Sequence, residues 1–283
     1  MKMKTTTKIM IFICLLGLSL LLYPIISDMW NDMHSTKAIN NYTDSLDNLT
    51  AQEYQEMWNE ALEYNSMLNE RENPFKLSDE QLEKYNSLLD PDGHGIMGYI
   101  DIPKIDVQLP IYHSTEENVL QVAVGHVNWT SLPVGGESSH CVLSGHRGLK
   151  SASLFTDLDK LREGDTFEMK VLNETLTYEV DQIRTVEPDE SDELKCVKGR
   201  DYCTLLTCTP YGINTHRLLV RGHRIENKKN NITIISEAVI IDEVIVAGFL
   251  AVPLIFILFM MVMLKKPQPK SKNNKSTSEE EDE

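Results

Sequence analysis

The chain has 283 residues, 41% of them hydrophobic, enough for one or two globular domains. Its 43 acidic and 27 basic side chains leave a net charge of −16. The first 26 residues carry +3 and residues 244–283 balance to zero, so residues 27–243 hold −19. That excess argues against nucleic-acid or anionic-lipid binding by this part, since both need a positive field.

In chain order, residues 9–26 form an uncharged apolar run long enough to cross a bilayer as a helix. Lys2, Lys4 and Lys8 precede it, which places residues 1–8 in the cytoplasm. No small-x-small site stands before Asp28, so the run reads as a retained span, with a cleaved signal peptide as the alternative. Residues 27–94 read as helical. Ile39, Tyr42, Leu46 and Leu49 recur at helical spacing, and Tyr54, Trp58 and Leu68 continue the pattern after a break. Thr50 and Glu53 have capping-box spacing, which predicts a new helix near Ala51. Ser78 and Gln81 repeat the signal ahead of a third helix reaching about Leu89. Between them Pro74 keeps residues 71–77 out of a helix. The run Asp90-Pro91-Asp92-Gly93 is a turn.

Residues 95–226 have the texture of strands, expected at 97–103, 107–112, 141–145, 167–172, 176–186, 204–208 and 217–224. Asn173-Glu174 separates two alternating runs as a hairpin turn, and residues 114–124 read as a helix. Seven or eight strands in this length suggest a small closed barrel or a sandwich. A linker at 227–243 leads to a second uncharged run, residues 244–264. Five lysines follow it, so both termini are expected in the cytoplasm, with one external domain between two transmembrane helices. Residues 265–283 form a tail ending in Glu-Glu-Glu-Asp-Glu, expected to be disordered.

Cys14 lies in the first span; Cys141, Cys196, Cys203 and Cys208 lie outside it. Their spacing makes no zinc site, and a Cys196–Cys203 bridge stays open. Cys208 closes the strand-like run from Tyr202, and a loop rich in turn residues separates it from the strand containing Arg217. If the two strands form a hairpin, Cys208 and Arg217 meet at adjacent strand ends, where a nucleophile and an oxyanion donor can share one carbonyl. A neighbouring guanidinium also favours the thiolate. From spacing alone, a buried cysteine beside a surface arginine explains the pattern as well. His146, in Leu-Ser-Gly-His-Arg-Gly, is placed for proton transfer at a strand end, but His113, His126, His140, His216 and His223 compete with it.

The stretch TLLTCTPYGINTHRLLVRG, residues 204–222, resembles the active-site signature of sortases. LSGHRG resembles that family's histidine motif, and GYIDIPKIDVQLPIY resembles its first two strands. The resemblance implies an eight-stranded closed β-barrel with Cys208 as nucleophile, His146 as general acid/base and Arg217 as oxyanion-stabilising group, with no metal or cofactor. The form of CTPYGINTHRLLVRG and the second span are similar to class C, pilin-polymerising members. Those enzymes carry a lid in which Asp-Pro-aromatic plugs the groove. Asn73-Pro74-Phe75 is the nearest match here, although Asn73 cannot form the ion pair an aspartate would. By this likeness Phe75 would cover Cys208 and Asn73 would approach Arg217. The implied partners are secreted pilin or surface proteins bearing a Leu-Pro-X-Thr-Gly-like sorting signal, and an acceptor lysine on pilin. A housekeeping sortase acting on cell-wall peptide, a membrane-anchored cysteine hydrolase and an idle assembly scaffold are the competing readings.

Overall fold

The computed structural model describes residues 5–69, 71, 75–227 and 256. The expected second span therefore lies outside the described residues, apart from Phe256, which is helical. Leu16–Lys229 form one compact unit.

Helix α1 (Thr5–Leu46) contains the first apolar run and continues past it without a break, carrying Pro24 inside. It is the one helix among the described residues long and apolar enough to cross a membrane. No glycine or proline follows Ile26 before Leu46, so the apolar helix extends directly into the folded domain instead of ending there. Helix α2 (Ala51–Asn69) starts where the capping spacing predicts: Thr50 N donates to Glu53 Oε2 at 2.8 Å and Glu53 N to Thr50 Oγ1 at 3.2 Å. Helix α3 (Asp79–Ser87) is closed by the reciprocal Ser78–Gln81 pair.

Eight strands follow: β1 (Ile96–Ile102), β2 (Val107–His113), β3 (Val124–His126), β4 (Ser139–Ser144), β5 (Thr166–Val171), β6 (Glu174–Val186), β7 (Asp201–Thr209) and β8 (His216–Ile225). They close into a barrel in the order β1-β2-β3-β4-β7-β8-β6-β5. Closure pairs every edge. All pairings are antiparallel except β2 with β3 and β4 with β7. Period-2 alternation sends Cys141, Leu143, Cys203, Leu205 and Val220 into a core shared with Ile100, Phe167, Met169 and Tyr178. Tyr42 joins α1 to that core. Its hydroxyl donates to Met97 O (3.0 Å) and accepts from Leu172 N (2.7 Å).

Two expectations need correction. Residues 114–124 form a single turn, α4 (Glu117–Leu120), and the end of the run is strand β3. Val124 and Gly125 pair with Ile111 and Tyr112, so sheet pairing overrides the helical spacing. The hairpin turn is Leu172-Asn173, one residue early, with Glu174 already paired to Val171. The Tyr42 hydroxyl holds Leu172 at that corner, where it adopts φ 51°.

His140 is buried, with Nδ1 against Lys195 O (3.0 Å) and Nε2 against Thr204 Oγ1 (2.7 Å). Burial is the main cause that lowers its pKa to about 4 from 6.5. A depressed histidine stabilises the fold above its unfolded value, and that contribution is lost as pH falls from 6.5 towards 4. The expected loss is about 3 kcal/mol across that window. Urea unfolding of His140→Gln at pH 7 and 4.5 should show a shallower pH dependence; an unchanged slope contradicts the assignment.

Candidate active site

The β7–β8 register places Cys208 directly opposite Arg217. Strand β4 lies on the other side of β7, with Ser144 paired to Leu206 and Gly145 N bonded to Leu206 O at 3.0 Å. Two positions further along the two chains stand His146 and Cys208. The three residues singled out from the sequence therefore gather at one mouth of the barrel. Cys208 is half-buried and a free thiol.

Each side chain is positioned by its neighbours. Thr207 Oγ1 donates to Gly145 O (2.7 Å), fastening the histidine turn to the cysteine strand. Gly145 is required there, because a Cβ would stand 2.7 Å from the Phe155 ring. His146 Nε2 lies 3.4 Å from Glu117 Oε2, on α4. The Glu117 carboxyl is held below its usual range, first by its hydrogen bond from Gln121 and then by His146. Arg147 Nε donates to Thr156 O (3.1 Å) and Nη1 to Thr209 Oγ1 (3.3 Å), and the guanidinium also pairs with Asp159. It thus ties the residue after His146 to the residue after Cys208. Arg217 Nη1 donates to His216 O (3.2 Å) and Asn214 O (3.4 Å), which aims the guanidinium along the β7–β8 loop.

Below the three residues runs an apolar trough. Leu206 and Leu219 share the face of Cys208 and Arg217, and they group with Val142, Val186 and Leu194. Trp129, on the β3–β4 connection, and Leu194, on the β6–β7 connection, form its walls. Strand alternation alone marks Leu206 and Leu219 as facing with Cys208. Trp129, Leu194, Glu117 and Arg147 come from connections or a short turn, and no periodicity in the sequence reports them.

Competing residues are also placed. Cys203, five positions before Cys208 and so on the opposite face, is fully buried, with Sγ 3.6 Å from Met169 Sδ. Burial pushes its thiol well above the usual range. Cys196 is exposed, with Sγ 3.6 Å from Ser131 Oγ, and both it and Cys203 are free, so the bridge between them is not formed. His113 and His126 are buried and bonded to Leu88 O and Ser131 O, which makes them packing residues. Among the described residues no acidic, histidine or cysteine cluster has the arrangement of a metal site.

Asn73 and Pro74 lie outside the described residues. The Phe75 ring stands edge-on to Trp129, with centroids 5.2 Å apart, and Lys195 Nζ lies 5.2 Å from its centre. It therefore reaches both walls of the trough. Arg71, at the base of the same segment, donates to Trp129 O (2.8 Å) and Leu68 O (3.2 Å). A cavity of about 260 Å³ lies beneath, lined by Leu68, Arg71, Trp129, Ser131, Leu194 and Cys196 among others.

A closed eight-stranded barrel with a thiol facing an arginine at its mouth, and a histidine beside them, has the build of a cysteine transpeptidase. The family model described as Sortase domain matches residues 100–225. The chain is 52% identical to sortase C1 of Streptococcus agalactiae, with a TM-score of 0.66 over 68% of this chain and 100% of that one. It is 43% identical to Clostridium perfringens sortase C, solved with the C-terminal cell wall sorting motif, with a TM-score of 0.60 over 68% and 100% of the two chains. Sortase D of Bacillus subtilis is 28% identical over 138 residues, which cover 48% of this chain and 67% of that protein. This chain belongs to the sortase family of cysteine transpeptidases, and within it is most like the class C members.

Proposed function

We propose that this protein cleaves a Leu-Pro-X-Thr-Gly-like sorting signal and transfers the acyl group to a lysine amine of a pilin subunit, building covalent pili. The observation that carries the reading is the pairing of Cys208 with Arg217 on β7 and β8, with His146 at the end of the neighbouring parallel strand. The class C likeness supports the pilin acceptor. The Cys208 thiolate attacks the Thr–Gly carbonyl, and the Arg217 guanidinium stabilises the oxyanion. His146 donates its proton to the departing glycine amine as the C–N bond breaks. The thioester is then attacked by a lysine amine, His146 takes the amine proton, and Cys208 leaves as thiolate. In this reading both termini lie in the cytoplasm and residues 27–243 outside, so that enzyme and membrane-held substrate share one surface at raised effective concentration.

Incubating the full chain in detergent with a sorting-signal peptide and a purified lysine-bearing pilin tests the acceptor. An isopeptide-linked product supports the reading; exclusive transfer to a cell-wall peptide amine, or release as free acid, overturns it.

Residues 73–75 are proposed as a lid that limits hydrolysis of the thioester. Phe75 supports this by touching Trp129 and Lys195, one on each wall of the trough. Phe75→Ala is expected to raise hydrolysis of a sorting-signal peptide by about 3–10-fold, as removal of one aromatic contact of roughly 0.5–1.5 kcal/mol implies. Unchanged hydrolysis sinks the lid.

A further inference from the structure

The apolar run of α1 ends at Ile26, and two residues later the same helix grips the histidine loop. Asp28 Oδ1 accepts from Ser153 N at 2.7 Å and Oδ2 from Ser153 Oγ at 2.9 Å, while Asn31 Nδ2 donates to Ser151 O at 2.5 Å. At 1.5 Å per residue, Asp28 and Asn31 stand about 3 and 8 Å beyond the end of the span. The headgroup region is about 5–8 Å deep on each side. Ser151 and Ser153, in the loop that follows His146, are therefore moored at headgroup depth.

Strand directions agree. Tyr42 of α1, about 24 Å beyond the span at 1.5 Å per residue, meets Met97 at the start of β1 and Leu172 at the β5–β6 corner, whereas Asp28 meets Ser153 in the loop that follows β4. Strand β1 thus runs towards the membrane and β2 away from it. Strand β3 is parallel to β2, β4 antiparallel to β3, and β7 parallel to β4, so β4 and β7 both run towards the membrane. Their ends carry His146 and Cys208. The β7–β8 loop extends further the same way and holds two of the most exposed apolar side chains of the folded domain, Tyr211 (59% exposed) and Ile213 (68%). Tyr211 leans on the moored loop: a Cβ at Gly148 would stand 3.0 Å from its ring.

We propose that the barrel hangs with its catalytic mouth against the outer leaflet, and that Tyr211 and Ile213 of the β7–β8 loop seat in the lipid interface. An aromatic with a polar tip beside an aliphatic side chain suits that layer. The contact is apolar, which is consistent with −19 charges on residues 27–243. That charge keeps the remaining surface off anionic headgroups and favours one orientation. The mouth then opens at the depth where a membrane-held substrate leaves the bilayer.

The inference rests on α1 as a membrane anchor and not on the transfer reaction, and its test needs no turnover. The full chain is prepared in phosphatidylcholine nanodiscs with photoreactive benzoylphenylalanine in place of Ile213, of Tyr211, or of Asn173 at the opposite end of the barrel. Irradiation and mass spectrometry should find roughly tenfold more lipid adduct at 213 and 211 than at 173, since only the former lie at bilayer depth. Lipid adducts absent at both 211 and 213, or equally abundant at 173, overturn the proposal.

Discussion

Arg217→Ala is expected to lower kcat for sorting-signal cleavage by about 10²–10³-fold while leaving KM within a few-fold, as loss of an oxyanion donor does elsewhere. The expectation follows from register: Cys208 and Arg217 are directly opposed across β7 and β8, and the proposed reaction puts the carbonyl attacked by the thiol within reach of the guanidinium. The backbone carbonyls of His216 and Asn214 already hold that guanidinium, so it needs little reorganisation as charge develops. Arg217→Lys keeps the charge and loses the planar fork, and should fall between alanine and the parent. Steady-state kinetics on a fluorogenic sorting peptide separates the terms. A rise in KM alone, with kcat intact, would make Arg217 a binding residue instead.

Tyr42→Ala should destabilise the folded domain by about 3–5 kcal/mol, a range typical of removing a buried aromatic side chain. Tyr42 is fully buried, and its hydroxyl serves both Met97 O and Leu172 N. Truncation leaves a cavity between α1 and the barrel, together with an unpaired carbonyl and amide. Tyr42→Phe keeps the packing and should cost about 1–3 kcal/mol through those two backbone groups. For a domain of this size the alanine variant corresponds to a Tm lower by about 10 °C. Thermal unfolding of the detergent-solubilised chain reads both. A Tm shift under a couple of degrees for the alanine variant would mean that α1 is not part of the cooperative unit.

Much of this architecture was legible because it rests on local rules. The capping spacings at Thr50 and Ser78 predicted the starts of α2 and α3, and alternating runs predicted seven of the eight strands. The hairpin inferred from the 209–215 loop placed Cys208 opposite Arg217. The failures arose where distant contacts decide. Strand β3 is three residues long and exists because β2 and β4 lie on either side of it. The corner at Leu172 is set by a tyrosine 130 positions earlier. The trough is similarly hidden, since Trp129 and Leu194 occupy separate connections and meet only after the barrel closes. Choosing Cys208 over Cys203 does follow from parity: an odd separation on one strand puts them on opposite faces, one towards Met169 in the core and one at the mouth.

At the proposed lid the sequence stops being decisive. A proline next to an aromatic between two helices suggested residues 73–75, and Phe75 does stand between Trp129 and Lys195. The role once expected of an aspartate has no charged counterpart at Asn73. Arg71, bonded to Trp129 O, fixes the base of the segment to the trough wall by another route.

The most direct test of the account is to incubate the full chain with a sorting-signal peptide, omit any amine acceptor, and map the acyl adduct by mass spectrometry. A thioester on Cys208 is expected, absent in Cys208→Ala and retained in Cys196→Ser. An adduct on Cys196, or none on Cys208 while the peptide is still cleaved, would contradict it.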